Sequence, residues 1–118
     1  MKVKLKLDRD ELKGFITILK IIEHTPGKND LARYLFSCEA GRMKQNLTNR
    51  MIFNVNKKTF EITLTDYQTV VVFGLFRIYS FDLMPFEKAI SLRVIAEIDK
   101  QFQNYLQVMQ NFDKIEIC

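Results

Sequence analysis

Residues 30–50 read DLARYLFSCEAGRMKQNLTNR, and whether this stretch is one helix or two decides the fold. Asn29 or Asp30 can cap a helix beginning at Leu31, because a short side-chain oxygen accepts from its first free N–H groups. Leu31, Ala32, Leu35 and Phe36 open an apolar face, which Ala40, Met43 and Leu47 continue at spacings of 4, 3 and 4. Arg42, Gln45, Asn46 and Asn49 then share a polar face. Gly41 lies off the apolar stripe and weakens the helix without breaking the pattern. On this reading 30–50 is continuous. A break at Ser37–Gly41 would divide it.

Upstream, Val3, Leu5 and Leu7 alternate with Lys2, Lys4 and Lys6, the pattern of a strand with one wet face. Asp8 and Glu11 are spaced as a capping box, and the following helix puts Leu12, Phe15, Ile16, Leu19 and Ile22 on one side. It ends near Glu23-His24, with Thr25-Pro26-Gly27 as a stop. Downstream, Met51–Val55 is β-prone, Asn56-Lys57-Lys58 reads as a turn, and Phe60, Ile62 and Leu64 alternate with polar residues. This predicts a hairpin. Thr65 and Gln68 form a second capping box. The helix it opens, with Val70, Val71, Val72, Phe73, Leu75, Phe76 and Ile78, is apolar nearly all round and is expected to be the most buried element. Pro85 suits the first position of a last helix running to about Phe112, and Lys114–Cys118 alternates as a short strand would.

The two halves, 1–58 and 59–118, follow one plan of strand, capping box, helix, break, long helix and strand. A shift of 57 places Leu7 on Leu64, Asp8 on Thr65, Glu11 on Gln68, Phe15 on Val72, Leu19 on Phe76 and Leu35 on Leu92. The match is one of pattern rather than identity. Taken as a duplication, it makes the chain α+β and helix-rich: two βααβ units, with four helices on a small antiparallel sheet.

The 118 residues and 14.0 kDa make one domain, 1–118. A hydrophobic share of 47% and a charged share of 27% exclude disorder, and the core needs neither metal nor disulfides. The apolar run Val70–Phe76 falls short of the ~18–20 residues of a membrane helix. The alternating start lacks the apolar segment of a signal peptide, so a cytoplasmic location is expected. Asn46-Leu47-Thr48 is then a chance glycosylation triplet.

Cys38, Cys118 and His24 are too few for a four-ligand zinc site of the usual Cys/His kind. No phosphate-binding glycine loop, metalloprotease helix or nucleophile elbow occurs. His24 suits a helix C-terminus, Cys38 a helix interior, and Asp8, Asp10 and Glu11 the start of a helix. The expectation is a non-enzymatic protein without cofactor or metal.

Two binding readings remain. Ile95, Ile98, Phe102, Tyr105, Met109 and Phe112 follow a 3-4-3-4-3 spacing, and a helix of ~27 residues spans ~40 Å. Part of that stripe should overhang the domain and pair with a second copy, making a homodimer. The charge distribution permits another partner: 1–58 carries 13 Lys and Arg against 6 acids, and 59–118 carries 5 against 8. The halves attract each other, or the basic one meets an acidic partner. If Ser37–Gly41 is a turn, the region resembles a winged-helix DNA-binding domain, although Phe36 stands where that pattern has glycine. The resemblance implies a recognition helix at 42–50, with Arg42, Gln45, Asn46 and Asn49 on base edges, and a wing at 51–64 with Lys57 and Lys58 on phosphates.

Overall fold

The computed structural model describes residues 2–24, 30–79 and 83–117, with side chains described except at Tyr79 and 110–117. Two strands and four helices run in the order β1 (Val3–Asp8), α1 (Arg9–His24), α2 (Leu31–Phe53), β2 (Thr59–Leu64), α3 (Asp66–Tyr79) and α4 (Pro85–Ile117). The fold is α+β and helix-rich. Two strands alone are marginal in water, so the sheet depends on the helices against one face.

β1 and β2 alternate as their sequences predict, with Val3, Leu5 and Leu7, and Phe60, Ile62 and Leu64, all buried. They pair antiparallel, Val3 facing Leu64, Leu5 facing Ile62 and Leu7 facing Phe60. The outer edge of β1 is covered by α4. The Gln101 side chain accepts from the Lys4 N–H at 3.0 Å and donates to the Lys4 carbonyl at 2.7 Å, and Arg93 donates to the Lys6 carbonyl at 2.9 Å. Arg93 also pairs with Glu11. These contacts satisfy groups that would otherwise template another strand.

Both capping boxes close reciprocally. The Asp8 N–H donates to Glu11 at 3.0 Å and the Glu11 N–H to Asp8 at 2.8 Å. Thr65 and Gln68 exchange the same two bonds at 3.1 Å each. α2 starts as read, with Asp30 accepting from the Ala32 N–H at 3.0 Å. The Thr25-Pro26-Gly27 stop lies outside the described residues. One core joins the sheet to all four helices, with Phe15 and Phe76 in ring contact at 5.1 Å.

Three expectations are corrected. First, α2 runs unbroken through Ser37–Gly41, so 42–50 is the second half of a longer helix and not a separate recognition helix. Second, Met51–Val55 is not a strand: α2 continues to Phe53 and Asn54 caps it, donating to the Arg50 carbonyl at 2.7 Å. The guanidinium of Arg9 gathers the carbonyls of Met51, Asn54, Val55 and Lys57. A helix end so supplied with donors needs no strand partner. β2 therefore pairs with the N-terminal strand, and neither a hairpin nor a wing forms at 51–64. Third, 114–117 continues α4. A helix closes its own hydrogen bonds, whereas a tail strand needs a neighbour. The βααβ unit loses its closing strand in both halves, and the order that recurs is βαα.

Candidate interaction surface

The residues read as DNA contacts lie along the outer side of α2 and the turn beyond it. Arg42 is exposed and paired with Glu39 at 3.5 Å, the Gln45 amide donates to Asn49 at 3.3 Å, and Asn46 is exposed. The Lys57 ammonium sits 5.7 Å from the centre of the Phe60 ring, and Lys58 is exposed, its carbonyl taken by the Arg9 N–H at 3.0 Å. This is the solvated side of a continuous helix. Away from this helix, two ion pairs join the halves, Lys4 with Glu61 and Glu11 with Arg93.

The groups with chemical potential are scattered. His24 lies 3.9 Å from Glu23, whose carboxylate is bonded to Lys44. That bond, chiefly, holds the Glu23 carboxyl below its ordinary range. Cys38 is a half-buried free thiol. Ser91, buried against α3, donates to the Phe76 carbonyl at 3.3 Å. Among the described residues no group of three or more His, Cys, Asp or Glu side chains gathers as a metal site would require. No helix among them is long and apolar enough to cross a membrane.

The stripe on α4 divides. Ile98 is buried in the core and Ile95 packs partly against it, so these two hold the monomer together rather than lining an interface. Phe102, Tyr105 and Met109 are exposed by about 40% each. The side chain of Phe112 lies outside the described set. α4 has 33 residues, ~50 Å of helix, and the longest extent of the molecule is 51 Å. From Phe102 to Met109 its residues are exposed apart from the half-buried Leu106.

α3 departs from its expected burial. Val71, Val72, Leu75 and Phe76 are in the core, but Tyr67, Val70, Gly74 and Ile78 form an outer row open to solvent, with Val70 at 55% and Ile78 at 50%. The row continues sideways. Val70, Phe73, Ile98 and Phe102 line an apolar groove of about 220 Å³ between α3 and α4, and the Tyr67 ring meets Phe36 of α2 at 5.9 Å.

α1 supplies the comparison. Under the shift of 57, α1 and α3 match in burial almost position for position: Gly14 with Val71, Phe15 with Val72, Ile18 with Leu75 and Leu19 with Phe76 are buried in both. The outer rows coincide too, yet α1 presents Asp10, Lys13 and Thr17 where α3 presents Tyr67, Val70 and Gly74, while the last position is an exposed isoleucine in both, Ile21 and Ile78. At three of the four outer positions, equal geometry thus carries polar residues on α1 and Tyr67, Val70 and Gly74 on α3. All-round apolarity in a sequence implies burial, and so does not reveal this row. The signal that finds it is the alignment of Lys13 with Val70. No protein family matches this chain, and no curated protein or solved structure does either.

Proposed function

We propose that this chain is a non-enzymatic interaction module that associates with itself through the apolar side of α3 and α4. The observation that carries the reading is the contrast between α1 and α3. Three of the four outer positions of α1 are polar, Asp10, Lys13 and Thr17, and the same exposed positions of α3 carry Tyr67, Val70 and Gly74. A soluble surface does not favour such a row unless something covers it. The exposed residues of α4, Phe102, Tyr105 and Met109, extend the same side. The reading treats the two βαα segments as copies of one unit, of which the second has turned its outer face into a contact surface. The winged-helix alternative is not carried forward, because α2 has no turn and 51–64 has no wing.

Sedimentation over a micromolar dilution series tests it. The mass should rise from 14.0 kDa toward twice that value with concentration, and Phe102→Ser with Tyr105→Ser should shift the midpoint to higher concentration. A mass of 14.0 kDa throughout would refute self-association.

A further inference from the structure

We infer that two copies pair through α3 itself, antiparallel and two-fold symmetric, with Gly74 at the crossing. This rests on the self-association proposed above and specifies its geometry. The first argument is spacing. Val70 and Ile78 each lie four residues from Gly74, one turn away on the same exposed row. A two-fold contact must be self-complementary, residue i meeting j while j meets i. Turned end over end about Gly74, the row maps onto itself: Gly74 faces its own counterpart and Val70 faces the partner's Ile78.

The second argument is the glycine. A Cβ at position 74 would meet nothing within 4 Å, so the fold of the single chain does not require glycine there. Glycine is also among the least favourable residues in a helix interior, and the matched position in α1 is Thr17. What a missing side chain does supply is close approach of another backbone. At the crossing point of two helices, that is the property needed.

The third argument fixes direction. Phe102 borders the groove beside Val70, near the start of α3, and α4 carries Tyr105 and Met109 onward from there. At the other end of α3, Ile78 and Met84 are exposed, Met84 by 71%. An antiparallel pair lays the exposed Phe102–Met109 part of each α4 toward the partner's Ile78 and Met84, covering both clusters. A parallel pair sets these two parts side by side and leaves Ile78 and Met84 open. The antiparallel pair also sets the helix dipoles in their favourable sense.

Disulfide trapping in a Cys38→Ser, Cys118→Ser background tests the geometry. Val70→Cys and Ile78→Cys proteins are oxidised separately and as a mixture, with Lys13→Cys on α1 as the collision control. The mixture should give a covalent dimer. Each single variant should give roughly tenfold less, because like residues in an antiparallel pair lie ~12 Å apart along the axis, beyond disulfide reach. Self-linking of Val70→Cys would overturn the antiparallel arrangement. Self-linking of Phe102→Cys, with no product from the α3 positions, would move the seam to α4. A Gly74→Leu protein, whose side chain has room in the monomer, should dimerise at least ~10-fold more weakly if Gly74 lies at a close-packed crossing. An unchanged dimer there overturns the crossing. Loss of dimerisation in the unmodified protein would instead strike the underlying reading, so the two failures are distinguishable.

Discussion

Gly14 and Gly74 both stand inside helices, and their surroundings predict opposite effects of the same substitution. A Cβ on Gly14 would collide with the Cδ1 tip of Ile90 and lie 3.2 Å from Phe86 Cε1, so the buried Ile90 side chain would have to shift against its neighbours. Gly14→Ala should lower stability by about 1–3 kcal/mol. Gly74→Ala meets open space and should raise it by about 0.5–1 kcal/mol. Urea unfolding at dilutions where the protein is monomeric checks both signs. Arg9 is the second residue of consequence. Its guanidinium serves the carbonyls that end α2, so Arg9→Ala should cost about 1–3 kcal/mol. Lysine should restore little, lacking the planar fork. The Glu23–Lys44 pair gives a pH signature. The Glu23 carboxyl is held low mainly by the Lys44 hydrogen bond. Its contribution is therefore complete above the ordinary carboxylate range and is lost as the pH falls through the depressed value. The stability difference between the native protein and Glu23→Gln should be under about 1 kcal/mol at neutral pH, the pair being partly exposed. It should shrink on acidification below about pH 4.

At the scale of elements, period, capping and the end of α1 at His24 are legible in the sequence, and the ends of α2 and α4 are not. β1, β2, both capping boxes and the starts of α2, α3 and α4 follow from Val3–Leu7, Phe60–Leu64, Asp8–Glu11, Thr65–Gln68, Asp30 and Pro85. The end of α2 was misread because Met51–Val55 has strand composition locally. What overrides it is Arg9, 42 or more residues away in sequence. The end of α4 was misread for a related reason, since an alternating tail becomes a strand only beside a neighbouring strand. α4 offers a direct check of its role as cover for β1. Gln101→Ala removes the pair of bonds to Lys4, and the Lys4 amide should then exchange with solvent markedly faster while the core amides of α1 stay protected. Unchanged exchange at Lys4 would mean that α4 shields this edge without Gln101.

Over the whole molecule, the sheet register is the one a two-fold axis through the Leu5–Ile62 pair requires, since Val3–Leu64 and Leu7–Phe60 lie symmetrically about it. The helices keep the relation in part. Ala40, Met43 and Leu47 of α2 recur in spacing and burial as Ser91, Val94 and Ile98 of α4. The shift of 57 sets Leu35 on Leu92, six positions from the burial match, which runs at 51; a helix two residues shorter in α3 and a connection one residue shorter after it account for three of the six. The two halves differ most in the outer row of α3 and in the length of α4, 33 residues against 23 in α2, and both enlarge one apolar side. The most direct test writes the outer row of α1 onto α3: Tyr67→Asp, Val70→Lys and Gly74→Thr, followed by sedimentation beside the native protein. The account predicts a concentration-dependent dimer for the native chain and a folded monomer for the triple variant. A native chain that stays monomeric, or a triple variant that still dimerises with unchanged affinity, would contradict it.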